Sequence, residues 1–121
     1  MSRLSEREWI VLRALWHTGG AELGVLVDTL RPVTGWNRNT VLTYLTRMES
    51  KGLVRIEKDI TPHLYYAALD QETCQSKERK SFLHRVYQGC TGDLITAFLK
   101  ESTISKDERN KLRQLLDDME V

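Results

Sequence analysis

The feature that most constrains the fold of this chain is a change in hydrophobic period near its middle. Before this point apolar residues recur at the spacing of amphipathic helices, whereas residues 53–57 alternate, with Val54 and Ile56 on one side. Alternation of this kind predicts a strand with one buried face. Residues 59–62 predict a turn, and residues 63–69, which are rich in aromatic side chains, predict the return strand. The sequence therefore predicts a β-hairpin directly behind a helical region.

Three amphipathic segments precede the predicted hairpin. The first begins at the capping box formed by Ser5 and Glu8, and Gly19 ends it. We expect the second to close at Pro32, and the third to begin at the N-cap Asn37 and to end at the sequence Lys-Gly. The apolar positions on their inner faces are Trp9, Leu12, Leu15, Trp16, Leu23, Leu26, Val27, Leu30, Val41, Tyr44, Leu45 and Met48. Three helices followed by a hairpin is the order of a winged helix-turn-helix, predicted here for residues 1–70.

The remaining residues, 71–121, predict helices only. A polar helix is expected up to residue 88, with breaks at Gly89 and Gly92, then a short helix, and a last helix that opens at Ser105. Their apolar stripes are too thin to make a separate core, so we predict a helical dimerisation region. The residues expected in that contact are Phe82, Val86, Leu94, Phe98, Leu112, Leu115 and Leu116. The predicted fold class is thus mainly α with a small β-hairpin.

The third helix has the composition of a helix that reads DNA. Asparagine reads adenine, threonine contacts a thymine methyl group or a phosphate, and arginine reads guanine or pairs with phosphate. Between Trp36 and Lys58 five cations stand against two acids, a local excess that suits a polyanionic partner. The predicted DNA-binding residues are Arg38, Asn39, Thr40, Leu42, Thr43 and Arg47 on the helix, with Lys58 and His63 near the hairpin tip.

Composition and motifs argue against several functional classes. The sequence contains no run of ~18 apolar residues, so no membrane span is expected. The first residues also lack the apolar segment of a signal peptide, so a cytoplasmic location is expected. We find no glycine-rich phosphate loop and no nucleophile elbow, so neither an enzyme nor a cofactor is predicted. Cys74 and Cys90 lack the spacing of metal ligands and are interpreted as half-buried thiols. A Cys/His metal site or a redox switch at Cys90 is the alternative.

Two strings carry a resemblance to a known family. They are E-W-x-V-L-x-x-L-W, which begins at Glu8, and T-V-x-T-x-L-T-R-M-x-x-K-G, which begins at Thr40. Further matching positions follow at Tyr65-Tyr66, Phe82-Leu83, Val86-Tyr87 and from Leu94 to Phe98. In this combination the chain resembles the BlaI/MecI/CopY family of bacterial repressors, also called penicillinase repressors.

The resemblance implies a homodimer that represses transcription. Its winged helices would bind double-stranded DNA at a palindromic operator with half-sites of the TACA/TGTA type, and its C-terminal helices would interlock. Asn39, Thr40, Leu42 and Thr43 would then face the bases, and Arg47 would lie near phosphate. Leu42 departs from the family, since relatives usually carry Arg or Lys at that position.

The resemblance also implies two routes of induction. In one branch of the family a sensor-linked protease cuts between Asn and Phe, and the corresponding bond joins Ala97 to Phe98, with Ala97 as the departure. In the copper-responsive branch paired Cys-x-Cys motifs bind metal, and this sequence has none, so the copper-thiolate route is not expected.

Two other functions remain open from sequence. A small-molecule-sensing winged-helix regulator would hold an effector in an apolar pocket lined by Tyr65, Phe82 or Tyr87. A winged-helix protein-interaction module would retain its partner after loss of the polar groups at Thr43 and Arg47.

Overall fold

The computed structural model describes residues 3–121, which form helices and one antiparallel hairpin. In chain order the elements are α1 (Glu6–Thr18), α2 (Leu23–Thr34), α3 (Arg38–Ser50), β1 (Val54–Glu57), β2 (Leu64–Ala67), α4 (Gln71–Tyr87), α5 (Thr91–Glu101) and α6 (Lys106–Asp118). The predicted order of three helices, a hairpin and further helices is therefore confirmed. The chain divides into two compact units, an N-terminal unit that ends at Glu78 and a C-terminal unit, Arg79–Val121.

The capping box at the start of α1 forms as predicted and also reaches α3. The Ser5 hydroxyl accepts a hydrogen bond from the Glu8 amide at 3.1 Å, and Glu8 Oε1 accepts one from the Ser5 amide at 2.9 Å. Glu8 Oε2 lies 2.9 Å from Nζ of Lys51, the residue that caps α3. Glu8 is only 6% exposed, so these bonds satisfy a carboxylate inside the N-terminal unit.

The core of the N-terminal unit is built from the inner faces of α1, α2 and α3 and one face of the hairpin. Its buried side chains include Val11, Leu12, Leu15, Leu26, Val27, Leu30, Val41, Leu45, Met48, Leu53, Val54 and Tyr65. Trp16 packs at the margin of this core, where its indole Nε1 donates to the Leu69 carbonyl oxygen at 2.9 Å. This bond joins α1 to the segment that follows the hairpin, and it gives the indole N–H the partner that a partly buried tryptophan needs.

The expectation that Pro32 closes the second helix is wrong. α2 continues to Thr34 and ends at Gly35, which has a φ of 67° and donates its amide to the Arg31 carbonyl at 2.9 Å. Proline removes one amide donor and crowds one carbonyl. At position 32 the lost bond is the one to the Asp28 carbonyl, yet α2 continues for two more residues, and the left-handed glycine determines where it ends.

Two boundaries in the later part of the chain also differ from expectation. The return strand covers Leu64–Ala67 and not the whole of 63–69, because β1 offers it partners only between Val54 and Glu57. Gly92 lies in the first turn of α5 and is not a break, whereas Gly89 adopts a φ of 84°.

The end of α3 leads directly into the hairpin. Gly52 has a φ of 77°, and its amide donates to the Glu49 carbonyl at 3.0 Å. The next amide, of Leu53, donates to the Met48 carbonyl at 2.9 Å, which completes a Schellman motif. Because β1 begins one residue later, this turn determines the direction of the hairpin relative to α3.

The hairpin is held against the loop between α1 and α2. The amide and carbonyl of Ala21 both pair with Tyr65 of β2, with N···O distances of 3.0 and 2.9 Å. The Tyr66 ring lies so close to Gly20 that no Cβ fits there, and the Arg55 guanidinium lies 4.3 Å from the centroid of the same ring. Tyr66 therefore connects the hairpin to Gly20 on one side and to Arg55 of β1 on the other.

The C-terminal unit is packed in a different way. None of its residues is buried, and α5 and α6 leave most of their apolar side chains exposed. Within residues 3–121 no helix combines the length and the apolar character that a membrane crossing requires.

Burial of the carboxyl group raises the pKa of Glu8, but hydrogen bonds from Ser5 and the charge of Lys51 lower it by more, so the pKa lies below the ordinary 4.5. This contribution to stability is complete above about pH 5 and is lost as the pH falls through the folded-state pKa. We expect Glu8→Gln to lower the free energy of unfolding by about 1 kcal/mol at neutral pH and by much less in acid. Urea unfolding across this pH range, at one protein concentration, measures the difference.

The matched control is Glu6→Gln, an exposed acid in the same helical turn. A loss of stability in Glu8→Gln that does not change with pH would contradict the role assigned to its charge.

Candidate nucleic-acid interface

The third helix presents one buried side and one exposed side. Val41, Leu45 and Met48 are at most 1% exposed, and they fix the inner side of α3 in the core. Asn37 caps the helix, as its side-chain oxygen accepts from the Thr40 amide at 2.9 Å. The outer face of α3 consists of its exposed residues between positions 38 and 47, which are Arg38, Asn39, Leu42, Thr43, Thr46 and Arg47.

The structure brings the predicted reading residues of α3 together on this outer face. Five of the six are exposed, and Thr40 is half-buried at the edge. The side chains of Arg38, Asn39 and Arg47 make no hydrogen bond or ion pair with any residue in 3–121. Their polar groups are therefore available to a ligand without breaking an internal contact.

Ion pairs neutralise much of the remaining positive charge in this region. Lys51 pairs with Glu8 at 2.9 Å, Lys58 with Glu49 at 3.2 Å, and Arg55 with Glu57 at 3.9 Å. The charge excess counted along the sequence thus overstates the number of free cations. Arg38 and Arg47 are the two cations of that stretch that no acid pairs with in the part of the chain that the structure describes.

Thr43 uses its hydroxyl group inside the helix. The hydroxyl donates to the Asn39 carbonyl oxygen, four residues earlier, at 2.9 Å. Its hydrogen is consequently engaged, and what Thr43 offers to a ligand is its methyl group and the lone pairs of its oxygen.

An aromatic stack that the sequence did not assign supports the start of α3. Trp36 lies parallel to Tyr44, with ring centroids 4.5 Å apart and an interplanar angle of 10°. Arg7 of α1 donates to the Tyr44 hydroxyl at 3.3 Å. The chain forms this stack internally, so the ring of Trp36 packs in the loop.

The two predicted contacts of the hairpin tip lie in different environments. Lys58 is exposed and held by Glu49 of α3. His63 is exposed and lines a groove of about 400 Å³ together with Arg38 and Gly24 at the start of α2. Glu22 also lines this groove, so its charge is mixed. The structure therefore brings His63, but not Lys58, next to a free cation of α3.

The residues predicted for dimerisation lie in the C-terminal unit. Val86, Phe98, Leu112, Leu115 and Leu116 are exposed, and Phe82 and Leu94 are half-buried. A groove of about 220 Å³ between α5 and α6 is lined by Leu99, Ile104, Leu112 and Leu116 with charged residues at its rim.

The bond between Ala97 and Phe98 lies inside α5, so a protease would have to unwind this helix to reach it. Cleavage at this bond stays a prediction.

The residues considered for an effector pocket, a redox switch or a metal site do not form one cluster. Tyr65 is buried in the core of the N-terminal unit, whereas Phe82 and Tyr87 belong to the C-terminal unit, with ring centroids 6.0 Å apart. The interpretation of both cysteines as half-buried is wrong: Cys74 is buried, which raises the pKa of its thiol, and Cys90 is exposed. Among residues 3–121 no three His, Cys, Asp or Glu side chains are grouped to hold a metal ion.

The family model described as "Penicillinase repressor" matches residues 4–118. The chain belongs to the penicillinase repressor family. The methicillin resistance regulatory protein MecI of Mammaliicoccus sciuri is 27% identical over 114 residues, which cover 94% of this chain and 93% of MecI. The penicillinase repressor of Bacillus licheniformis is 25% identical over 116 residues, 96% of this chain and 91% of that protein.

A solved structure shows the same fold. It is the solution structure of the monomeric form of Bacillus licheniformis BlaI in complex with the blaP half-operator, with a TM-score of 0.52 and 21% identity. The match covers 59% of this chain and 87% of that chain. The predicted winged-helix fold and the predicted family are confirmed. As a member of this family of transcriptional repressors, the chain is a DNA-binding regulator and not an enzyme.

Release of Lys58 should strengthen DNA binding. Glu49→Gln removes the acid that pairs with Lys58, and an exposed pair of this kind is worth at most ~1 kcal/mol, so its loss leaves the fold intact. We expect affinity for a duplex of random sequence to rise about two- to fivefold and the salt dependence to steepen, because one more cation can neutralise phosphate. Fluorescence anisotropy across a salt titration measures both effects.

The control is Glu78→Gln, which removes one acid from the ion pair with Arg3 in the same unit. Equal gains in the two variants would mean that net charge alone acts, and that Lys58 makes no phosphate contact.

Proposed function

We propose that this penicillinase repressor acts as a homodimer that binds a palindromic operator and represses transcription by covering a promoter. The observation that carries the proposal is the outer face of α3, where Arg38, Asn39 and Arg47 are exposed and have no side-chain partner within residues 3–121. In a winged helix-turn-helix this helix enters the major groove, so these side chains would meet base edges and phosphates.

The chemistry of each side chain assigns it a role in this complex. The Asn39 carboxamide suits the N6 and N7 atoms of adenine, and a guanidinium group suits guanine or a phosphate. Arg38 and His63 line the groove at the start of α2, where a backbone phosphate would find a guanidinium group and an imidazole together. Lys58 would join the contact after it leaves Glu49.

The C-terminal unit supports assembly into a dimer. On α6, Leu112, Leu115 and Leu116 lie at helical spacing on one face, and none of them is buried. Leu115 is 62% exposed and Phe98 of α5 is 57% exposed. An apolar face of this kind is typical of helices that pack on another chain. A second copy would cover it with the same residues, as a two-fold contact requires.

The proposed dimer matches the geometry of a palindromic operator. Two recognition helices about 34 Å apart read two half-sites one helical turn apart on the same side of the duplex. The BlaI relative is described as a monomeric form on a half-operator, so two copies of this chain would occupy the two halves of a full operator. From the resemblance we take half-sites of the TACA/TGTA type as the starting sequence.

We expect the chain to bind a duplex with a TACA/TGTA palindrome more tightly than a scrambled duplex, with two chains per duplex. The double variant Thr43→Ala, Arg47→Ala should lose about tenfold or more in affinity, since each lost contact to DNA counts twice in a dimer. Electrophoretic mobility and anisotropy at several salt concentrations measure the preference, the stoichiometry and the salt slope.

The control is Arg13→Ala, which removes an exposed cation from α1. Equal weak binding to both duplexes, followed by no enrichment from a pool of random duplexes, would overturn operator recognition. Retention of a protein partner by the double variant would then favour the interaction module.

We expect Leu115→Glu to convert the full chain from a dimer to a monomer, because it places a charge on the apolar face of α6. Sedimentation equilibrium measures the mass, and circular dichroism checks that the helices persist. Operator affinity should fall because each monomer contacts only one of the two half-sites. Val33→Glu is the control, since Val33 is 69% exposed on α2 of the other unit. A Leu115→Glu chain that remains dimeric would exclude this face as the contact.

A further inference from the structure

The outer face of α3 contains one apolar residue. Of its six exposed side chains, five carry a polar group, and Leu42 is the exception. Leu42 is 38% exposed, whereas Val41 and Leu45 on the inner side are completely buried. The core of the N-terminal unit therefore leaves part of the Leu42 side chain uncovered, on the side of the helix that would face DNA.

A leucine at a base edge is favourable in one situation only. Most atoms of the major-groove edge are hydrogen-bond donors or acceptors, and a leucine that excludes water from them leaves them without a partner. The apolar group of that edge is the C5 methyl group of thymine. Contact with this methyl group buries apolar surface on both molecules, so a thymine is the base that Leu42 tolerates best.

The neighbours of Leu42 point to the same chemistry. Thr43 has its hydroxyl hydrogen engaged with the Asn39 carbonyl at 2.9 Å, so its methyl group is available beside Leu42. Asn39 lies three residues before Leu42, and residues at this spacing are about 5–6 Å apart on a helix surface. Because successive base pairs are about 3.4 Å apart, the two side chains can address neighbouring base pairs.

We propose that Leu42 is a specificity-determining residue that packs on the C5 methyl group of one thymine in each operator half-site, beside the adenine that Asn39 reads. This inference rests on the proposed function, because it requires α3 to lie in the major groove. At the base pair that Leu42 contacts, binding should depend on a thymine methyl group, whereas a basic residue at position 42 would select a different base.

Thymine-to-uracil substitution tests the proposal directly, since uracil keeps the pairing and removes the methyl group alone. The preferred operator is first selected from random duplexes with the unmodified full-length chain. Each thymine is then replaced by uracil, at the same position of both half-sites. We expect one thymine position at which uracil weakens binding about fourfold per half-site, or about fifteenfold for the dimer.

The variant Leu42→Ala should bind the thymine and uracil duplexes equally at that position and keep its response at every other thymine. Leu42→Met, which retains an apolar side chain of similar size, should restore the response. The matched control is Val33→Ala, which shortens an exposed apolar side chain of α2 and should leave the uracil profile unchanged.

Two results would overturn the proposal. A Leu42→Ala chain that keeps the full uracil profile of the unmodified chain would show that Leu42 touches no thymine methyl group, while operator recognition itself stands. A selection that enriches no duplex would contradict the proposed function and, with it, the Leu42 contact that rests on it.

Discussion

The burial of Val41, Leu45 and Met48 is the interaction on which the rest of the N-terminal unit depends. These side chains occupy the core at the point where α1, α2 and the hairpin meet, and each is at most 1% exposed. Burial of an aliphatic side chain contributes about 1.5–3 kcal/mol, so rotation of α3 about its axis would be costly. The outer face of α3 is consequently presented in one orientation. The Schellman turn at Gly52 determines the direction in which the hairpin leaves α3.

Electrostatics divides the cations of this region into two groups. Lys51 and Lys58 are held by Glu8 and Glu49, which tie the end of α3 to α1 and the hairpin to α3. In the described part of the chain, Arg38 and Arg47 pair with no acid. A protein that binds a polyanion benefits from this division, because free cations release counterions from DNA on contact, whereas paired cations must first lose a partner. The same stretch of sequence thus contributes to both stability and recognition.

The two units of the chain follow opposite packing rules. The N-terminal unit buries its apolar side chains, whereas the C-terminal unit has no buried residue along Arg79–Val121. This unit is barely longer than the ~40 residues below which chains usually need a further source of stability. In the proposed homodimer, a second copy of the chain would provide that source. Assembly and DNA recognition would then be coupled, because a palindrome is read only when two recognition helices are held at a set distance.

By itself, the sequence determined the element order and the family. The period change after Gly52 predicted the hairpin, the capping box at Ser5 and Glu8 predicted the start of α1, and the apolar spacing predicted the inner face of α3, because local periodicity and end signals act over a few residues. Tertiary structure alone decided which polar groups are free. The ion pair between Lys51 and Glu8 joins residues 43 positions apart, and the stack of Trp36 on Tyr44 joins a loop to a helix. No local pattern of sequence encodes such contacts. The end of α2 beyond Pro32 was misjudged for a related reason. Proline removes only its own hydrogen bond, and the amides that follow it still bond, as Gly35 does to the Arg31 carbonyl.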